Sequence, residues 1–213
     1  MVDMNALSEL LQRGKAKDVK EMTQQAVDEG ISVQTILDDG LLSGMNVIGV
    51  KFKNNEIFVP EVLIAARAMN AGMEVIKPLL IDNNIESRGV VVIGTVKGDL
   101  HDIGKNLVGM MMRGKGLTVI DLGTDVAPQT FIESAISNKA DIIACSALLT
   151  TTMKEMGNVV KAVKDARLDE SVKVMIGGAP VTESFKDMIQ ADAYSSDAAS
   201  AAEIALQLCR KVS

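Results

Sequence analysis

The chain contains one histidine, His101, and the residues spaced around it are those that could turn an imidazole into a ligand. Asp99 stands two positions before it and Gly104 three after, within Gly94-Thr-Val-Lys-Gly-Asp-Leu-His-Asp-Ile-Gly-Lys-Asn106. A carboxylate that accepts a hydrogen bond from one ring nitrogen leaves the other nitrogen to a metal. A lone histidine is more often a packed or solvated residue than a ligand, so its setting has to argue for it. The stretch follows an apolar β-branched run and leads into a helix-like segment, which is where parallel α/β sheets build their ligand sites.

The elements that carry it begin after a break in pattern. Pro78 and Asp82-Asn-Asn-Ile-Glu-Ser-Arg-Gly89 interrupt a helical pattern and mark a boundary between a domain over 1–86 and another over 89–213. Beyond it, short apolar runs at Val90 to Val96, Leu117 to Leu122, Asp141 to Ser146, Val172 to Ile176 and Ala191 to Tyr194 read as strands. Amphipathic segments near 103–116, 127–138, 152–167, 181–190 and 197–211 separate them. Regular alternation of this kind predicts right-handed crossovers and a parallel sheet covered on both faces. Five units fit a flavodoxin-like, Rossmann-like sheet of order 2-1-3-4-5, whose ligand lies beyond the carboxyl ends of its strands. The loops there, Gly98 to Gly104, Ser146 to Thr152, Gly177-Gly-Ala-Pro180 and Ser195-Ser-Asp197, then share one rim.

Residues 1–86 read as helix throughout. Apolar stripes at Leu7, Leu10 and Leu11, at Val19, Met22 and Ala26, at Leu37, Leu41, Met45 and Ile48, and at Val62, Met69, Met73, Ile76 and Leu80 predict a small four-helix bundle. Gly30 and Ser32 can end one helix and cap the next, and Pro60 suits a first turn. Phe58, in the turn before the fourth helix, reads either as a staple packed on that helix or as a contact covering a flat ligand.

Composition narrows the function. A 2% aromatic share and a net charge of -6 leave neither the stacking platforms nor the basic face that nucleic-acid binding needs. Cys145 and Cys209 have no metal-ligand spacing and read as buried thiols of a reducing compartment. With no signal-peptide pattern and no apolar run of membrane length, a cytoplasmic protein is expected.

Several chemistries fail on the residues themselves. A phosphate loop needs four residues between its glycines, whereas five separate Gly98 from Gly104, and Asn106 stands where Ser or Thr should bind magnesium. A phosphoacceptor receiver wants an aspartate after the third strand and a lysine after the fifth; Cys145-Ser146 and Ser195-Ser196 are there instead. Mononuclear zinc needs three or four convergent protein ligands. A metal already held by a macrocycle needs only one, which leaves haem and corrinoids.

Asp99-Leu-His101-Asp102-Ile103-Gly104, then Ser146-Ala-Leu148 and Gly177-Gly178, closely resemble the D-x-H-x-x-G, S-x-L and G-G signature of cobalamin-binding proteins. From about residue 5 to the last helix the chain is similar to the cobalamin-binding module of methionine synthase and to the corrinoid proteins of methylotrophic methyltransferase systems. The resemblance implies a base-off, His-on corrinoid with His101 as lower axial cobalt ligand, Asp99 on its inner nitrogen, and Thr152 at the position of a relay hydroxyl. It also implies that the displaced nucleotide tail lies in a slot lined by Ser146, Leu148 and Thr150 with Gly177 and Gly178 at its edge. From the residues alone, Ser146 could equally cap a helix, and the glycines could simply form a turn.

The same resemblance makes the helical bundle a cap, with Phe58 as its lid contact and Val62, Ala65 and Met69 as nearby apolar surface. It implies a methyl shuttle with methylcobalamin as intermediate: a carrier subunit rather than a catalyst. A substrate-specific methyltransferase would load it, a second methyltransferase would unload it to tetrahydrofolate or a thiol, and a reductive activator would maintain the cobalt. A cobalamin-binding sensor is the alternative, and a mutase subunit a third reading. The methyl donor belongs to the partner enzyme.

Overall fold

A computed structural model describes residues 2–82 and 87–212. The chain forms two units, Met1–Glu86 and Ser87–Ser213.

In the first unit the helical stripes become α1 (Met4–Gln12), α2 (Ala16–Asp28), α3 (Val33–Thr35), which runs through a π-helical turn (Ile36–Leu42) into α4 (Ser43–Lys53), and α5 (Val59–Asp82). Asp3 caps α1 by accepting the Asn5 N–H at 2.9 Å, and Ser32 caps α3 by accepting the Thr35 N–H at 3.1 Å. Such caps satisfy donors that the first helical turn cannot. Most of each stripe is buried: Leu7, Leu11, Val19, Ala26, Leu41, Ile48, Val62 and Ile76 are essentially inaccessible, while Leu10, Met22, Leu37, Met73 and Leu80 are half-buried.

The helical pattern does not stop at Pro78, contrary to the sequence expectation; α5 continues through it to Asp82. A proline inside a helix costs about 3 kcal/mol in hydrogen bonding and clash. Here it falls near the helix end, and fully buried Ile76 anchors the preceding turn. The remainder of the expected interruption, 83–86, lies outside the described residues.

The second unit alternates as predicted. Strands β1 (Val90–Thr95), β2 (Thr118–Asp121), β3 (Ile142–Ser146), β4 (Lys173–Gly177) and β5 (Ala193–Ser195) are separated by α6 (Ile103–Gly114), α7 (Pro128–Asn138), α8 (Lys154–Asp165) and α9 (Glu183–Ile189), with α10 (Ala198–Val212) last. All pairings are parallel, in the order β2-β1-β3-β4-β5. The fifth strand starts two residues later than Ala191, because Asp192 is spent on the edge of β4, its carboxylate accepting the Val174 N–H at 2.7 Å.

Side-chain alternation divides the core. Val92, Ile143, Cys145, Val174 and Ile176 point to one face and pack with Phe131, Ile132, Met156, Val159, Val160 and Val163 of α7 and α8. Ile93, Ala144 and Met175 point to the other, under α6 and α10, which pack on each other. Cys145 and Cys209 are buried thiols; burial pushes both up, Cys209 to about 11.

Candidate functional site

The turn after β1 is built around one carboxylate. Asp99 has no accessible surface, and every hydrogen bond that its carboxylate accepts comes from a donor in the two loops that follow β1 and β3. Oδ1 takes the His101 backbone N–H at 3.1 Å and lies 2.8 Å from the His101 ring Nδ1. Oδ2 takes the N–H groups of Leu148 and Leu149 at 2.8 and 3.1 Å and the Thr152 hydroxyl at 2.8 Å. Burial alone would raise the carboxyl pKa. The bonds from the His101 ring, the His101 and Leu148 N–H groups and the Thr152 hydroxyl outweigh it and hold the group well below the usual carboxylate range.

An ionised carboxylate only accepts, so it fixes the proton of neutral imidazole on Nδ1 and leaves the lone pair on Nε2. The His101 side chain is 52% exposed, which keeps that nitrogen open to a ligand. Its carbonyl accepts the Thr95 hydroxyl at 2.9 Å, and the Asp125 carboxylate takes the Gly98 N–H at 2.7 Å, so both ends of the turn are tied down. Around the imidazole stand aliphatic side chains that a folded domain would ordinarily bury: Leu100 is 73% and Ile103 79% exposed, and Leu148 and Leu149 are also exposed. Together they form an apolar platform of the kind that marks a binding face.

Asp102 occupies the N-cap position of α6; its Oδ2 accepts from Asn106 at 3.0 Å and its carbonyl accepts the Asn106 N–H at 2.8 Å. Gly104 stands in the first turn, where an added Cβ would meet nothing of the protein within 4 Å. Its missing side chain is thus not demanded by the chain's own packing and leaves space for a ligand. Gly178 is different: its φ is +138° and a Cβ there would lie 1.9 Å from the Ala147 carbonyl oxygen, so the fold itself requires glycine. At Gly177 a Cβ would come no closer than 3.4 Å, to the Ser195 carbonyl.

Between the sheet and α6 and α10 lies a cavity of about 270 Å³. Ser146, Gly177 and Gly178 line it, and Gly104 opens onto it. Leu148 and Thr150, expected in the same lining, are not part of it: Leu148 turns its N–H to Asp99, and Thr150 is exposed in the turn before α8. The Thr152 hydroxyl reaches Asp99 despite the added methyl, and its oxygen also lies 2.9 Å from the Leu149 carbonyl.

Phe58 is 65% exposed, which excludes the staple reading; its N–H is capped by the Glu61 carboxylate at 3.0 Å. Val62, Ala65 and Met69, expected as apolar surface near Phe58, are buried, as the stripe reading of Val62 and Met69 requires, and it is Leu63 and Ile64 that are exposed. Helix phase explains the exchange, since a residue shifted by one position turns by about 100°.

Lys105 was not legible from sequence. It is buried, and its ammonium lies 2.6 Å from both oxygens of Asp121 at the end of β2 and 2.7 Å from Asn106 Oδ1. The only signal was a lysine in an otherwise apolar helical face. Among the described residues no group of three or more His, Cys, Asp or Glu could hold a metal ion, and no helix is long and apolar enough to cross a membrane.

Two models described as B12 binding domain match the chain, one over residues 4–77 and one over 89–206. A corrinoid protein of Desulfitobacterium hafniense is 39% identical over 98% of this chain and 99% of its own length. Trimethylamine corrinoid protein 1 of Methanosarcina acetivorans is 44% identical over 84% of this chain and 83% of its own. Among solved structures, the methanol:cobalamin methyltransferase complex of Methanosarcina barkeri superposes with a TM-score of 0.85 at 30% identity, over 96% of this chain and 78% of that one. A cobalamin-binding protein from Desulfitobacterium hafniense gives 0.80 at 29% identity, over 98% of this chain and 99% of that one.

Proposed function

The chain belongs to the family of B12-binding corrinoid proteins, and from that premise we propose that it is a methyl carrier in a methyltransferase system. The proposed cofactor is cobalamin or a related corrinoid, bound base-off with His101 Nε2 as the lower ligand. The observation that carries this reading is the half-exposed imidazole, fixed at Nδ1 by a buried carboxylate and flanked by exposed aliphatic side chains. One protein nitrogen suffices for a metal whose equatorial positions a macrocycle fills.

A bound corrinoid supplies a cobalt centre able to accept and release a methyl group. The chain's own residues orient and tune the ligand. Asp99 selects the Nε2-basic tautomer, and its charge makes the imidazole a stronger donor. Thr152 and the Leu148 and Leu149 N–H groups hold Asp99 ionised and immobile. Leu100, Ile103, Leu148 and Leu149 would offer apolar surface to the macrocycle, Ser146 and the cavity beside it would take the nucleotide tail, and the exposed Phe58 ring is the lid contact that the helical unit would supply.

The proposed partners are a substrate-specific methyltransferase, a second methyltransferase serving tetrahydrofolate or a thiol, and a reductive activator. The relatives named for trimethylamine and methanol systems support the methyltransferase setting. Reconstitution with hydroxocobalamin should give a base-off, His-ligated visible spectrum that His101→Ala loses; an unchanged spectrum in the variant refutes the ligand assignment. The carrier role is tested separately, by offering the reduced, loaded protein an isotopically labelled methyl donor together with a methylamine- or methanol-specific methyltransferase. Label should travel with the protein through gel filtration; none doing so with any donor enzyme refutes the carrier role.

A further inference from the structure

The cavity beside the sheet has an uneven chemistry. Its walls are Ile93, Ala144 and Met175 from the strands, Val108 and Met112 from α6 and Ala201 from α10. None of these six side chains carries an N–H or O–H donor or an oxygen acceptor. Lys105 also lines it, but an ammonium has three donors, and here three oxygens surround it: Asp121 Oδ1 and Oδ2 at 2.6 Å and Asn106 Oδ1 at 2.7 Å. Lys105 therefore contributes its aliphatic stem. The remaining polar lining is confined to the strand ends and the start of α10, at Ser146, Ser195, Ser196 and Asp197, where the Ser195 hydroxyl is already committed to the Asp197 carbonyl at 2.7 Å.

We propose that this cavity discriminates among corrinoids by their nucleotide base, accepting a methylated benzimidazole and rejecting a purine. The inference rests on the corrinoid reading above and specifies which corrinoid. Both bases share an imidazole ring, so that ring cannot discriminate. Their six-membered rings differ. Dimethylbenzimidazole presents carbon and methyl groups, which Met112, Met175 and Ala144 can cover. Adenine presents an exocyclic amine and two ring nitrogens, which would leave water and find no partner on those walls. An unpaired buried donor or acceptor is penalised more than a lost contact is, and that asymmetry gives an apolar pocket its power to reject.

The test compares equilibrium dissociation constants of the full-length apoprotein for three probes: hydroxocobalamin, the corresponding adeninyl cobamide, and cobinamide, which lacks the nucleotide. The adeninyl form should bind at least about tenfold more weakly than the benzimidazole form. Met175→Gln places an amide in the wall at nearly constant length, and Ala144→Ser places a hydroxyl. Each should shrink that ratio by about threefold or more while leaving cobinamide affinity unchanged. A wild-type ratio under tenfold overturns the proposal, as does a ratio that neither variant moves. Should a variant lose cobinamide binding through misfolding, the wild-type ratio and the other variant decide. Binding of none of the three probes to the wild-type protein overturns the corrinoid reading instead, so the two failures are distinguishable.

Discussion

Replacing Gly104 with alanine separates the demands of the fold from those of the ligand. The added methyl meets no protein atom within 4 Å, and the position is helical, in the first turn of α6. Alanine loses less backbone entropy there than glycine does, so the apoprotein should be unchanged or stabilised, by up to about 1 kcal/mol. The methyl instead enters the space at the mouth of the cavity. Overpacking a fitted contact costs about 1–3 kcal/mol, which corresponds to roughly five- to 150-fold weaker binding. Urea unfolding of the apoprotein and titration with hydroxocobalamin read the two effects independently. Gly178→Ala is the counterpart: at φ +138° with a carbonyl 1.9 Å from the new carbon, it should destabilise the apoprotein itself by several kcal/mol or prevent folding. The reasoning is refuted if Gly104→Ala keeps wild-type affinity or unfolds the apoprotein, or if Gly178→Ala is as stable as the wild type.

Other perturbations test the remaining parts. In Asp99→Asn, an amide NH₂ at the Oδ2 position would face three donors, so the side chain should instead turn its NH₂ toward His101 Nδ1. That moves the imidazole proton to Nε2 and blocks ligation; loss of the His-ligated spectrum, with about 1–3 kcal/mol lost in urea unfolding, is the expected outcome. Because the Asp99 carboxyl is depressed on folding, its contribution to stability is fully present above the unfolded value near 3.8 and is lost as the pH falls through the lower folded value. Acid unfolding of the wild type should therefore have a component below about pH 4 that Asp99→Asn lacks. Thr152→Val removes one donor to Asp99 while keeping the shape, and should cost about 1 kcal/mol or more in urea unfolding. Phe58→Ala should change apoprotein stability by less than about 0.5 kcal/mol, since the ring is exposed, yet accelerate solvent attack on the methylated cofactor far more than it weakens cofactor binding; equal effects on both would refute a covering role.

The parts of this molecule that were legible in sequence are those set by period and by chemistry. Alternating short apolar runs and amphipathic segments fit the sheet order that is observed, because right-handed crossovers leave few topologies. Asp99, His101 and Gly104 stood out because a carboxylate, an imidazole and a glycine share one strand-to-helix turn. What escaped was whatever depends on distance between loops. The Leu148 and Leu149 N–H groups bind Asp99 through the backbone, and no residue type advertises that. Thr150 and Leu148 follow the same strand as Ser146, yet the chain turns away after β3, so only Ser146 reaches the cavity. Pro78 misled because a helix near its end tolerates a proline that packing supports. Lys105 escaped because its carboxylate partner lies 16 residues on, outside its own helix and at the end of β2.

The Asp99 carboxylate joins groups that lie 49 to 53 residues further along the chain. Its bonds to Leu148, Leu149 and Thr152 can close only after β1 has paired with β3, and contacts of such sequence separation form late because loop closure must come first. During synthesis Asp99 and His101 therefore emerge well before the groups that hold the Asp99 carboxylate in place. Until β1 and β3 pair, the motif is present without the hydrogen bonds that keep Asp99 ionised and fixed beneath the imidazole.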